Sequence, residues 1–488
     1  MSDDPLNHPA GSVKAASLRR RFTRAVDGWA DAIFSPRNNP FYYSGAICVF
    51  LLILLVISGL YLFIFYKVSA PYQSVQYIAE KQGIYGSMIR SVHGYAADGL
   101  IIAISLHALW VFLKGRYFLW RRIIWVSGVV LLIVYIVDGI VGYWMVWDER
   151  AQAIALMTAK ILDPIPVFIE PPPMGFLNDE TLSRPLFFII TFFHLALPLL
   201  SLIILWIHMS RISRPVMIPS RFLSYGILFV IVTFSGIIPI SMLPPADLHL
   251  LPMDISIDWF YLFPYPLFSM TSTWVFYISL LVVLASIVML PWLAKPRKVE
   301  TAEVSFKKCT GCGLCHKDCP YEAIYMQYSA KKNSYRLKAV VIPPRCAGCG
   351  ICVGSCNYHA IDLPNRTEAQ IKREISKILS SGINATHEPK ILGFLCEHST
   401  NLDEMVDPET GGLRGMPDVK VIVLPCAGMI QPSMIEHSFK SGAAGVFING
   451  CQMGDCHFHE GNKWLQGRLR GERPPFLSAE YSPFVSGQ

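Results

Sequence analysis

Apolar and polar positions divide this chain into two contrasting stretches. Before Leu293 the apolar residues come in runs long enough to cross a bilayer, which takes about 20 residues. Six such runs lie at residues 41–66, 92–113, 123–146, 186–208, 222–243 and 273–293. After Lys295 the apolar runs are short and interleaved with polar residues, as in a water-soluble fold. Residues 323–327 and 337–342 predict a hairpin, and 368–379 an amphipathic helix with Ile371, Ile375 and Leu379 along one side. Residues 391–395, 419–424 and 445–448 predict buried parallel strands alternating with helices. The expected fold is multi-domain: a six-helix transmembrane bundle, an α+β domain, and a small α/β parallel-sheet domain.

Loop charges orient the bundle. Arg19, Arg20, Arg21 and Arg24 precede the first run, and Lys114, Arg116, Arg121 and Arg122 separate the second from the third. Arg211, Arg214 and Arg221 separate the fourth from the fifth, and Lys295, Arg297 and Lys298 follow the sixth. The alternate loops carry Asp148, Asp247, Asp254 and Asp258. The positive-inside rule then predicts an integral protein of the cytoplasmic (inner) membrane with both termini cytoplasmic. The N-terminal segment has no apolar core before a cleavage site and is expected to be a cytoplasmic tail.

Among 488 residues, 53% are hydrophobic and 16% charged, and the net charge is +7. With no basic patch interleaved with aromatics, that charge does not predict a nucleic-acid partner. Twelve of the thirteen cysteines follow residue 300, at spacings that predict metal ligation in a reducing compartment rather than disulfides. The leftover Cys48 falls in the first apolar run, as a small core residue. The expected division is 1–40 (N-terminal segment), 41–294 (bundle), 295–304 (linker), 305–365, 366–387 (connecting helix) and 388–488.

Four histidines lie inside the runs: His93 and His107 in the second, His194 and His208 in the fourth. Each pair is fourteen residues apart. That interval returns to nearly the same helix face about 21 Å further along the axis. Two facing helices would present two pairs of imidazoles at two depths, each pair able to ligate a haem iron from both sides. The plainer alternative is interhelical hydrogen bonding, which would not require the same interval twice. Gly45 and Gly59, and Gly128 and Gly142, repeat that interval, as close approach of a flat macrocycle to neighbouring helices would require.

These spacings resemble the cytochrome b of quinol-oxidising bc-type complexes over residues 25–295, without that family's last two helices. Arg90 stands where the family has an arginine near a haem propionate, Pro198 follows His194 by four, and Trp147 leads into an expected surface helix at 151–162. Asp258-Trp259-Phe260-Tyr261 falls where the family carries Pro-Glu-Trp-Tyr at its outer quinol site, with Ile257 and Asp258 departing from it. The resemblance implies two haem b groups, a quinone substrate, a proton-handling role for Asp258, and a homodimer or larger complex. Aspartate reaches one methylene less far than glutamate, and a solvated loop carboxylate is the competing reading.

Cys309, Cys312, Cys315 and Cys319, then Cys346, Cys349, Cys352 and Cys356, form two C-x2-C-x2-C-x3-C runs, the spacing of a two-cluster bacterial ferredoxin. In that fold the fourth cysteine of each run serves the other cluster. One 4Fe–4S cluster is therefore expected on Cys309, Cys312, Cys315 and Cys356, and the other on Cys346, Cys349, Cys352 and Cys319. Zinc is the competing metal. Pro320 follows the first run, and Asn357 replaces the proline after the second.

In the last module Cys396, Cys426 and Cys451 fall at or just after strand ends, where open α/β sheets gather their sites, and Cys456 joins them. Four thiols at one sheet edge suit a 2Fe–2S cluster, flanked by His457 and His459 as ligands or surface residues. Gly393-Phe394-Leu395-Cys396, Pro425-Cys426-Ala427-Gly428 and Asn449-Gly450-Cys451 resemble the delta subunit of methyl-viologen-reducing hydrogenase. Ser399 stands where that family has a further cysteine. The resemblance implies a heterodisulfide-reductase-like flavoprotein as the cytoplasmic partner. No nucleotide-binding or flavin fingerprint occurs in the sequence. The expected function is electron transfer between a membrane quinone and that flavoprotein. The alternative is a membrane anchor with structural haems and no quinone chemistry.

Overall fold

The computed structural model describes residues 10–117, 121–165, 184–210, 215–250, 258, 260–293, 300–329, 337–380, 390–399, 405–407 and 410–481. Ile257 and Trp259 of the expected quinol motif lie outside them, as do Asp254, Arg211, Arg214 and residues 295–299 of the expected linker. The chain forms two compact units, residues 43–211 with 215–295, and residues 1–42 with 212–214 and 296–488.

Helix α1 (Ala10–Phe34) belongs to the second unit. In the first, α2 (Ser44–Phe65) packs along α3 (Gly83–Leu113), and α4 (Arg122–Val146) packs along α6 (Arg184–Ser210). Between these pairs in sequence lies α5 (Glu149–Leu162), the expected surface helix, which begins where the Asp148 carboxylate accepts the Ala151 N–H at 3.0 Å. The helices α7 (Arg221–Ile237) and α8 (Thr273–Leu293) pack on α3 and α4 respectively. Large apolar side chains such as Ile64, Phe229 and Leu281 face outward, as they do on helices solvated by lipid.

Among the described residues five helices are long and apolar enough to span a membrane. The run expected at 222–243 is the exception, since α7 stops at Ile237 after 17 residues. Ile238 precedes Pro239, whose ring disfavours helical backbone in the residue before it, and Ile238 leaves the helix at φ −128°, ψ 72°. Side chains of α3 satisfy the freed carbonyls: Tyr95 donates to Ile238 at 2.6 Å, and Arg90 to Ile240.

In the second unit β1 (Glu303–Val304) pairs with β4 (Ile361–Asp362), and β2 (Ile324–Tyr328) with β3 (Leu337–Val341), both antiparallel. The latter pair is the expected hairpin. The short helices α9 (Leu314–Asp318) and α10 (Ile351–Ser355) follow matching turns, in which Gly311, Gly313, Gly348 and Gly350 all have φ between 63° and 78°. Only glycine takes that conformation without strain, so each cysteine run closes on itself in the same way.

Helix α11 (Glu368–Ser380) buries Ile371, Ile375 and Leu379, the stripe read from the sequence. A four-stranded sheet follows, in the order β6 (Gly412–Leu413), β7 (Met416–Leu424), β5 (Ile391–Cys396), β8 (Gly445–Asn449). Strands β7, β5 and β8 are parallel. Helices α12 (Pro432–Lys440) and α13 (Gly461–Leu469) complete the module. Within this unit one hydrophobic core runs from Ala302 to Leu477, joining Val353 and Ile361 to Ile375, Phe394, Met429 and Leu465. Arg468, fully buried, donates to the carbonyls of Gly428 and Ile430 and to Ser355 Oγ of the second cysteine run.

Candidate functional site

The four histidines of α3 and α6 meet in two levels. The rings of His93 and His194 stand 6.3 Å apart, centre to centre, at 69°. That gap accommodates one metal ion bonded to a nitrogen of each ring at about 2 Å. His107 and His208 form the other level, near enough to act on each other electrostatically.

All four Nδ1 atoms are engaged within the bundle. Ser58 Oγ lies 3.0 Å from His93 Nδ1, Ser44 Oγ 2.9 Å from that of His107, and Ser127 Oγ 3.0 Å from that of His208. His194 Nδ1 instead faces Asp138, with the main-chain oxygen at 3.2 Å and the carboxylate Oδ1 at 3.1 Å. A ring whose Nδ1–H is fixed in this way keeps Nε2 bare, as a metal donor needs.

Each glycine of the repeated interval abuts the Cε1 of one histidine. A Cβ on Gly45, Gly59, Gly128 or Gly142 would stand 3.2, 3.1, 3.2 or 3.1 Å from His107, His93, His208 or His194. The missing side chain opens a notch for the ring edge. At Gly59 and Gly128 it also exposes the carbonyl one turn earlier, Leu55 or Ile124, to the ring nitrogen. The donor set, its spacing and the bare helix faces together fit a haem held by two imidazoles at each level.

Asp258 sits beside the His93–His194 level. Its Oδ2 accepts the phenol of Tyr143, the residue after Gly142, and its Oδ1 accepts the Phe260 N–H at 2.8 Å. Tyr261 packs its ring on Gly139 and donates to the Ala97 carbonyl of α3 at 2.8 Å. Arg90 is tied to the Ile240 carbonyl, as described above.

The cysteine runs interleave as their spacing suggests. One cavity is lined by Cys319, Cys346, Cys349 and Cys352, the other by Cys309, Cys312, Cys315 and Cys356. Backbone N–H groups already point at three of these sulfurs, from Ala302 to Cys346, Ala323 to Cys319 and Ala360 to Cys356. Hydrogen bonds of this kind tune iron–sulfur clusters. Burial pushes the Cys315 thiol up to about 12 and raises Cys349 and Cys352 as well, so a bare thiolate is disfavoured there and a cationic cluster core would offset that cost.

Four further thiols converge at the carboxyl edge of the parallel sheet. Cys396 and Cys451 lie 3.9 Å apart, sulfur to sulfur. The Cys396 and Cys456 sulfurs both lie within hydrogen-bonding reach of Cys426 and Cys451, which holds the Cys396 and Cys456 thiols below their ordinary range. The same contacts raise Cys426 and Cys451. The four sulfurs gather closely enough to hold a small cluster. Ser399 turns away from it, donating to the carbonyls of Cys396 and Asn449 at 2.8 and 3.3 Å. His457 stacks on His398 at 3.8 Å, and His459 meets the edge of Tyr321.

Sequence reading passed over Ser44, Ser58, Ser127, Asp138 and Tyr143. A signal was present for the first three, since each is the residue before an interval glycine. At Gly142 that position is Val141, and nothing in the pattern points to Asp138.

Known proteins match the chain in three successive parts. The family described as Cytochrome b/b6/petB matches residues 30–215, a 4Fe-4S dicluster domain residues 308–360, and the methyl-viologen-reducing hydrogenase delta subunit residues 391–472. Cytochrome b6 of Mesostigma viride is 32% identical over 152 residues, 30% of this chain and 70% of that protein. An iron-sulfur subunit of the F420-non-reducing hydrogenase vhc of Methanococcus voltae is 46% identical over 81 residues, 16% of this chain. The chain spans 54% of that relative's length. A solved chain described as "Hyperthermophilic respiratory Complex III" aligns with 52% of this chain and 76% of its own, at 18% identity and a TM-score of 0.43. In its membrane portion the chain belongs to the cytochrome b/b6 family, and behind that portion it carries a 4Fe–4S dicluster domain and a domain like the hydrogenase delta subunit.

Proposed function

We propose that this chain is the membrane electron-transfer subunit of an oxidoreductase complex, linking a quinone in the membrane to a heterodisulfide-reductase-like flavoprotein on the cytoplasmic side. The observation that carries this reading is the His93–His194 imidazole pair, set beside the Tyr143–Asp258 hydrogen bond. Two haem b groups, two 4Fe–4S clusters and a 2Fe–2S cluster would supply one-electron carriers in series.

The residues divide the remaining work. His93 with His194, and His107 with His208, would grip iron from both sides, while Ser58, Asp138, Ser44 and Ser127 fix the ring tautomers. The exchanged cysteines Cys319 and Cys356 tie the two cluster cavities together, and the four thiols of the last module form a third centre next to them in one core.

A quinol releases two protons with its two electrons, so its site needs an acceptor within hydrogen-bond reach. Asp258 Oδ2 fills that need, with Tyr143 holding the place that a quinol hydroxyl would take. Charge moved across the bilayer between the two histidine levels works with or against the membrane potential, at about 2.3 kcal/mol per charge per 100 mV.

The alternative, an anchor with structural haems, draws on the departure from the quinol motif at Ile257 and Asp258. Adding a quinol analogue to the anaerobic, oxidised, purified protein separates the two. Reduction of a low-spin haem spectrum, blocked by quinol-site inhibitors, supports quinone chemistry. A spectrum indifferent to quinol but reducible by dithionite leaves the anchor reading, and a protein without a Soret band ends both.

A further inference from the structure

Three of the four candidate axial histidines share one local design. In each, a serine immediately before an interval glycine places its hydroxyl at the ring Nδ1: Ser44 for His107, Ser58 for His93, Ser127 for His208. Ser58 and Ser127 donate their own protons to main-chain carbonyls one turn back, Leu54 and Ile124, which leaves the hydroxyl oxygen to accept from the ring. These are neutral hydrogen bonds, and three rings receive the same one.

His194 breaks the pattern. Val141 stands where the serine would be and offers no acceptor. Asp138, one turn before Gly142 on the same side of α4, fills the gap with its carboxylate Oδ1 at 3.1 Å from Nδ1. Its carboxylate is only 13% exposed; Oδ1 lies at ion-pair distance from the ring and makes no hydrogen bond among the described residues, the Nδ1–H being directed at the Asp138 main-chain carbonyl. A carboxylate charge this close to Nδ1, in a site of low dielectric, favours positive charge on the ring and on a metal bonded to it, as a neutral hydroxyl does not. The ring then gives more electron density through Nε2, and a metal bonded there is stabilised in its more positive state.

We propose that Asp138 is a positioning residue that, through His194, sets the reduction potential of the haem held by His93 and His194 below the value a serine at this ring would give. The carboxylate acts on one level only, because His107 and His208 are each met by a serine. The chain would thus bias where an electron rests between its two levels by a single side chain. This inference rests on the reading of the two pairs as haem ligands.

The test is a redox titration of the purified full-length protein, followed in the haem α-band, for wild type, Asp138→Asn and the double variant Asp138→Ala/Val141→Ser. Asparagine keeps the shape and an acceptor oxygen without the charge, and the double variant restores the serine of the other three rings. In both, one of the two midpoints is expected to rise enough to change the reduced-to-oxidised ratio tenfold at fixed ambient potential, about 59 mV for a one-electron couple. The other midpoint stays in place. Wild-type midpoints in either haem-replete variant overturn the proposal, and so does an equal shift of both. Loss of haem from both variants gives Asp138 a purely structural role and also overturns it. Wild-type protein without two low-spin haems would instead remove the haem reading itself.

Discussion

The backbone of Gly354, in the second cysteine run, meets the carbonyl oxygen of Gly428, in the last module, so closely that a methyl group on Gly354 would stand 2.2 Å from that oxygen. The same methyl group would strike the Arg468 guanidinium. Ferredoxin-like and sheet-bearing parts therefore share a seam with no room to spare.

Gly354→Ala tests that seam. Overpacking of a close contact typically costs about 1–3 kcal/mol. The variant is expected to lower the thermal midpoint of the iron–sulfur unit and to loosen the last module as well as the second run. Near-ultraviolet circular dichroism and protease sensitivity after residue 390 would show it.

Exchange of cysteines between the two runs gives a second prediction. Cys319→Ala should empty the cavity formed chiefly by Cys346, Cys349 and Cys352, and Cys356→Ala the one formed by Cys309, Cys312 and Cys315. Each variant should lose about four irons of the dicluster pair rather than eight. Iron content and electron paramagnetic resonance read the result, and two variants with indistinguishable residual spectra would contradict it.

Glu368 bears on the acid stability of the iron–sulfur unit. Burial alone would raise its carboxyl, but the hydrogen bond and charge of Lys372, with His359 and Ser433, outweigh burial and hold it below the usual carboxylate range. A depressed carboxyl contributes stability above its unfolded pKa of about 4.3, and that stability is lost as pH falls through the lower folded value. Glu368→Gln should lower the melting temperature at pH 7 and flatten its fall in acid. A parallel acid profile for both proteins would contradict this.

On the proposed quinone reading, Asp258→Asn would remove the proton acceptor while keeping the shape. Quinol-driven haem reduction should slow by roughly 100-fold or more, the scale of a lost general base. Dithionite reduction should be unaffected. Tyr143→Phe, which removes only the donor to Oδ2, should slow the reaction less.

Much of this architecture was legible because two kinds of pattern were strong. Long apolar runs located five spanning helices, and cysteine intervals anticipated which sulfurs would line each cavity. The end of α7 was misread because hydropathy continues past Ile237, whereas Pro239 breaks the backbone before it. Glycine spacing singled out four positions, but their contact with the histidine Cε1 edges depends on how neighbouring helices face each other, which no single-helix period contains. Asp138 was invisible for the same reason: a lone carboxylate in an apolar run shows its partner only in three dimensions.

The continuous core of the iron–sulfur unit bears on how the chain matures. Ile375 and Phe394 belong to the same packed interior as Val353, the neighbour of Cys352. A newly made polypeptide that misses one inorganic centre would be unable to quarantine the fault, and the slack would spread to both modules. Cellular quality control would then meet an all-or-nothing object, either fully metallated and resistant or incomplete and open to degradation.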